Sequence, residues 1–225
     1  MQMPDFYLPR PAGWSLADEA AFERLWAGQV QPEPGGAIDY RLGAPKWTFL
    51  CWLADTKDVL LHGSRRRDIL SFEPRRADDT SDFGGRMAVY AASDGIWAMF
   101  FAIADRQVAT SLVNASFLVD EGGVTTSFYY FSINQDAFDG NPWQEGTVYV
   151  LPRSSFDREA DEEWQGAQIK SHQWASAVPV QPMASLMVTP ADFPLLDNVN
   201  AHDQPTVAAR ASTDPDGFPW RDQVQ

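Results

Sequence analysis

Apolar positions recur at helical spacing in two early stretches and at strand spacing through most of the remaining chain. Residues 1–14 come first as an extended arm, because Pro4, Pro9 and Pro11 exclude regular helix. Ser15-Leu16-Ala17-Asp18 then reads as a capping box, with Asp in the place usually held by Glu or Gln. Phe22, Leu25 and Trp26 share one face of the helix it opens, and Gly28 is its expected stop. Residues 29–44 carry Pro32, Pro34, Gly35 and Gly36 and read as a loop. A second helix is predicted from Pro45 to Ala54, opening with proline at its first position, with Trp47, Leu50 and Leu53 at helical spacing.

From Asp58 the texture turns to strand. Val59-Leu60-Leu61 leads into His62-Gly63-Ser64, residues 71–86 form a polar loop, and Ala88–Ala91 is a second short strand. Ser93 can cap a short helix from Asp94 to about Ala102, but the run IWAMFFAIA is apolar all round and fits a buried strand equally well. Ser111–Val119, Thr125–Ser132 and Thr147–Leu151 are strands, with further candidates around Trp174–Ser176 and Ser185–Thr189. Pro152–Ala167 reads as a charged loop, and the chain from Asn198 as a loose tail. The expected architecture is a single α+β domain: an arm with helices over 1–57, a broken, mostly antiparallel sheet over 58–197, and the tail over 198–225.

Composition narrows the function classes. The chain has 225 residues, 44% of them hydrophobic, with nine Trp, so it can form a core and most of it is not disordered. No apolar run reaches the ~20 residues of a membrane helix. The N-terminus lacks a basic-then-apolar signal pattern, so an intracellular, cytoplasmic protein with no membrane partner is the simplest reading. One cysteine, Cys51, and three histidines leave little for a metal site. The net charge is −14, and it is uneven: −3 over residues 1–110 and −11 over 111–225. Such a surface repels phosphate backbones and disfavours nucleic acid as a partner. Against this trend stand Arg65, Arg66, Arg67, Arg75, Arg76 and Arg86, interleaved with Asp68, Glu73, Asp78, Asp79 and Asp82. They are a local basic patch able to hold a small phosphorylated ligand.

The GxGxxG, GxxxxGK[ST] and GxSxG fingerprints are absent. The informative constellation is VLLHGSRRR at 59–67 with FGGRMAVYAASDGIWAMFF at 83–101. His62 ends a strand, and Gly63 beside it lets a ligand approach the backbone closely. Tyr90 comes 28 residues later in a second strand, then Phe100 and Phe101 in an apolar segment. Taken one at a time, Tyr90, Phe100 and Phe101 also suit a core, and the arginine run a solvated loop. As a set, the segments resemble the ADP-ribosyltransferase superfamily, in the branch of diphtheria-type toxins and poly(ADP-ribose) polymerases. The resemblance covers about residues 58–105 and more loosely 170–190.

The resemblance implies a split, mostly antiparallel sheet and NAD as substrate, its nicotinamide–ribose bond cleaved either to modify a macromolecule, a protein acceptor among them, or to hydrolyse NAD. It implies that His62 and Tyr90 open onto one groove, with His62 orienting the adenosine-side ribose and the Gly63 backbone, next to Ser64, holding the nicotinamide carboxamide. Tyr90 and either Phe100 or Phe101 would sandwich the nicotinamide ring, and Arg65 to Arg67 with Arg86 would meet the pyrophosphate. The family's third element is a glutamate that stabilises an oxocarbenium-like ribose. At that distance this chain has Gln173, which can bond a hydroxyl but carries no charge. Glu145, Glu162 and Glu163 are alternative carboxylates, with Glu163 foremost because it precedes Trp164. Two rival readings share the scaffold: an RNA 2′-phosphotransferase-like enzyme, disfavoured by the acidic C-terminal half, and a non-catalytic nucleotide-binding or interaction protein, favoured by Gln173.

Overall fold

The computed structural model describes residues 3–31, 35–76, 81–164 and 167–221. The loop prolines Pro32 and Pro34, and Asp78 and Asp79 of the arginine segment, lie outside the described residues. The arm contributes a short strand, β1 (Leu8–Pro9). Helix α1 (Leu16–Leu25) starts at the expected capping box: Ser15 Oγ accepts from the Asp18 amide, and the Asp18 carboxylate accepts from the Ser15 amide. Gly28 does not stop it, because one π-type turn carries the chain on to Val30. After β2 (Gly36–Ala37) comes α2 (Lys46–Thr56). Pro45 is its cap rather than its first residue, since its ψ of 144° is extended.

Three strands and a helix come next: β3 (Val59–Ser64), β4 (Arg75–Arg76), β5 (Met87–Ala92) and α3 (Gly95–Ile103). They are followed by β6 (Leu112–Glu121), β7 (Val124–Asn134), the single-turn α4 (Gln135–Asp139) and β8 (Gly146–Pro152). The segment expected as a charged loop holds β9 (Asp157–Arg158) and β10 (Glu162–Trp164). Then come β11 (Ala167–Ser171), β12 (Gln173–Ser176) and β13 (Ala184–Val188). The expected loose tail is ordered over β14 (Asn200–His202) and α5 (Gln204–Thr213), the latter capped by the Asp203 side chain on the Thr206 amide.

The strands make two sheets in one α+β domain. The first runs β2-β13-β8-β3-β5-β12-β9, with β4 also on β5. The second runs β1-β7-β6-β11-β10, with β14 also on β7. Among the described residues the pairings are antiparallel except β13 with β2 and β14 with β7. The arm and the tail are thus built into the second sheet through β1 and β14.

Helix α3 lies between the sheets, and this settles its apolar composition. On one side it rests on glycines: a Cβ at Gly63 would strike the Ala98 carbonyl, and one at Gly146 the Ala102 carbonyl. On the other side the Phe100 ring packs, tilted, against Phe131 of β7 with centroids 4.5 Å apart, and Trp97 Nε1 donates to Asn114 of β6 at 2.7 Å. A helix covered on every side has no polar face to show. Among the described residues no helix is long and apolar enough to cross a membrane.

Candidate functional site

The sequence motif converges where β3 and β5 part. Their ladder consists of Leu61 opposite Ala92 alone. On its other side β3 pairs with β8 over its full length, His62 opposite Tyr149 and Leu60 opposite Leu151. The Val150 carbonyl accepts from the Met183 amide on the β13 side, so the backbone groups of Tyr149 and Leu151 face β3 and bond those of His62 and Leu60. By alternation, the amide and carbonyl of Leu61 and Gly63 face β5. Those of Leu61 meet Ala92. Those of Gly63 would meet Tyr90, but no β5 residue pairs there. The Tyr90 carbonyl instead accepts from Nδ1 of His62 at 2.6 Å. The Gly63 amide and carbonyl therefore edge a gap in the sheet, while the side of Gly63 left open by its missing side chain is filled by the α3 backbone, so the close approach expected of a ligand there is made by the helix.

The same alternation assigns the faces. Leu61, Gly63, Ala92 and Tyr90 lie on the α3 side. His62 lies on the other side, its ring 4.5 Å from Phe72 within the cluster of Leu60, Val89, Ala91, Tyr149 and Leu151. The expectation that the His62 and Tyr90 side chains open onto one groove is corrected: they stand on opposite faces and meet only through the Tyr90 carbonyl. That carbonyl can only accept, so the proton sits on Nδ1. Burial pushes the His62 pKa down against the opposing effect of this bond, which keeps the ring neutral at pH 7 with Nε2 as an acceptor.

The other expected residues divide. Tyr90 is pinned by its hydroxyl, which lies 3.0 Å from the Phe83 carbonyl and 2.9 Å from that of Arg86. Gln173 lies on β12 directly opposite Ala92, and so on the Tyr90 face. Phe100 is fully buried among Phe131, Trp143 and Phe193 and is a core residue, not a stacking platform. Phe101 is half-buried against Trp97. Arg65 is held by an ion pair to Asp105 and a hydrogen bond to Gln144, and Arg67 pairs with Glu145. Both guanidiniums are thus already paired with carboxylates, Glu145 among them. Ser64 Oγ accepts from the Arg66 amide at 3.1 Å and shapes the turn after β3. Arg86 is exposed, its guanidinium 4.6 Å from the Phe83 ring centre. Glu163 sits exposed on β10 of the second sheet, opposite Gln168, and does not share a strand or a sheet with the gap.

Next to the gap lies a buried polar network that the sequence does not disclose. Asp94, fully buried, caps α3 through the Trp97 amide at 2.7 Å. Its other oxygen accepts from Arg10 Nη2 and from the Tyr129 hydroxyl, each at 2.7 Å, with His172 Nδ1 at 3.9 Å. Arg10 also reaches Asp55 at 2.6 Å, and His172 Nδ1 lies 2.8 Å from Ser116 Oγ. Burial alone would push the Asp94 carboxyl up. His172, Arg10 and the two hydrogen bonds outweigh it and hold the pKa below the usual range. Burial brings His172 down to about 4, against the pull of Asp94, and it is neutral at pH 7. The network ties the arm to the start of α3 and to the residue preceding Gln173, whose carbonyl accepts from the Ser93 amide. Asp94 has every oxygen engaged, which makes it a framework for the gap rather than a base.

Among the described residues no group of three or more His, Cys, Asp or Glu is placed to hold a metal ion. No protein-family model matches the chain, and no curated protein or solved structure matches it.

Proposed function

We propose that the gap between β3 and β5 binds the nicotinamide end of NAD, without the shared His62–Tyr90 groove that the ADP-ribosyltransferase resemblance implies. The observation that carries this is Gly63, whose N–H and C=O face a stretch of β5 that forms no ladder pair with it and would match the C=O and NH₂ of a primary carboxamide. Tyr90 lies on the same face with its ring pinned, and an aromatic contact there contributes roughly 0.5–1.5 kcal/mol beyond burial. Gln173 lies on that face too, one strand further on, where its amide can bond a ribose hydroxyl.

Cleavage of the nicotinamide–ribose bond builds positive charge on the ribose. A neutral Gln173 offsets little of it, and lacking that stabilisation raises the barrier by about 3–4 kcal/mol, by analogy with losing an oxyanion donor. The chain is therefore an NAD binder in which the nicotinamide–ribose bond breaks slowly, nicotinamide leaving and the ADP-ribosyl group passing to water or to a protein nucleophile. His62 contributes by holding Tyr90 from behind. The test is nicotinamide release from NAD by the wild type and by Gln173→Glu. A restored carboxylate raises the rate at least tenfold, which needs only about 1.4 kcal/mol. Equal rates, or fast release that survives at residue 173 but is lost in Glu163→Gln, would remove Gln173 from the site.

A further inference from the structure

A second constellation lies on the second sheet, away from the motif residues. Ser111 precedes β6, Ser132 is in β7 and His202 ends β14, and the three side chains meet. Ser111 Oγ is 2.9 Å from His202 Nε2, and His202 Nδ1 is 2.8 Å from Ser132 Oγ. A neutral imidazole has one proton, so one nitrogen donates and the other accepts. With the proton on Nδ1, directed at Ser132, Nε2 accepts from the Ser111 hydroxyl. That is the order of nucleophile, base and orienting group. The burial gradient runs the same way: Ser132 is 0% exposed, while Ser111 and His202 both reach solvent. The Ser111 backbone is held on both sides by Asn134, whose amide donates to the Ser111 carbonyl at 3.2 Å and whose Oδ1 accepts from the Ser111 amide at 3.3 Å. Burial lowers the His202 pKa against the opposing charge of Asp203, so the ring is unprotonated at neutral pH, as a base must be.

We propose that Ser111 is a nucleophile activated by His202, with Ser132 as the positioning residue, and that it accepts acyl groups from small uncharged esters. The charge of −11 over residues 111–225 disfavours anionic acyl chains. In the step, Ser111 Oγ bonds the ester carbonyl carbon while its proton passes to His202 Nε2. The ester C–O bond then breaks and the departing alkoxide takes that proton. Water repeats the sequence to free the acid and restore the serine.

The alternative role, a clamp holding β14 on the sheet, transfers no proton. The two separate with an alkyl fluorophosphonate, in which the serine oxygen displaces fluoride at phosphorus. The full chain should gain one adduct, located on Ser111 by peptide mass spectrometry. Ser111→Ala should gain none, and His202→Gln should label at least tenfold more slowly, with far-UV circular dichroism reporting that each variant is folded. Ser132→Ala should slow labelling, and Ser132→Thr, which keeps the hydroxyl, should restore it. No adduct on the wild type, an adduct elsewhere, or equal labelling of the wild type and His202→Gln would overturn the proposal.

Discussion

Replacing Arg10 with Met tests the buried network that frames the gap. Methionine keeps most of the aliphatic length but removes the charge and the hydrogen bonds to Asp94, Asp55 and Tyr129. Asp94, 0% exposed, would keep only the Trp97 amide, the Tyr129 hydroxyl and a distant His172. Leaving one member of a buried ion pair unmatched costs about 3–5 kcal/mol. For a chain of this size each kcal/mol moves Tm by about 2–4 °C, so the expected loss is roughly 6–20 °C. The double variant Arg10→Met with Asp94→Asn removes both charges, and the asparagine oxygen can still cap the Trp97 amide. It should be less destabilised than the sum of the single variants, by about 2 kcal/mol. Urea unfolding of all four proteins measures this, provided the m-values agree. A loss below about 1 kcal/mol for Arg10→Met would give the pair no more than the value of an exposed one and contradict its buried role. So would strict additivity in the double variant.

Three further outcomes are expected from the geometry. His172 has a folded pKa of about 4 against about 6.5 when unfolded, so the folded chain binds fewer protons between these values. Its contribution, about 3 kcal/mol, is present above pH 6.5 and lost as pH falls towards 4. Urea midpoints across that window should flatten in His172→Asn, and an unchanged slope would contradict the assignment. Gly63→Ala drives a methyl into the Ala98 and Ala102 backbone and should cost more than about 3 kcal/mol, whereas Gly43→Ala, with nothing within 4 Å, should cost under about 0.5. Similar midpoints for the two would refute the helix-on-glycine packing. NAD should raise the melting temperature, by about 2.7 kcal/mol of stability at 100 times its dissociation constant. Tyr90→Ala should abolish that shift, and an equal shift in the variant would place NAD elsewhere.

What can be read from the sequence is mostly local. The Ser15–Asp18 box, the strand at residues 59–64 and the strand at residues 87–92 depend on neighbours in the chain, and all three form. α3 is ambiguous in sequence because it is apolar all round, and that pattern reflects two covering sheets that no window of sequence can display. α5 escapes detection for the opposite reason: it has few apolar residues, although Asp203 and Pro205 mark its start. The side on which His62 and Tyr90 face is a question of register. A shift of one residue inverts it, and a spacing of 28 residues does not report it. The hub at Asp94 needs Arg10, Tyr129 and His172, which lie 84, 35 and 78 positions away and carry no common pattern. An aspartate before an apolar run is its one visible sign, and it indicates a helix cap, which is one part of what Asp94 does.

A crystal structure of the full chain with NAD bound decides whether Gly63 takes a carboxamide in the gap between β3 and β5. The carboxamide oxygen is expected at about 2.9 Å from the Gly63 amide and its nitrogen at a similar distance from the Gly63 carbonyl. The ring should lie against Tyr90, with a ribose hydroxyl within reach of Gln173. NAD bound with its nicotinamide away from Gly63, or a gap left empty at millimolar NAD, would contradict that placement.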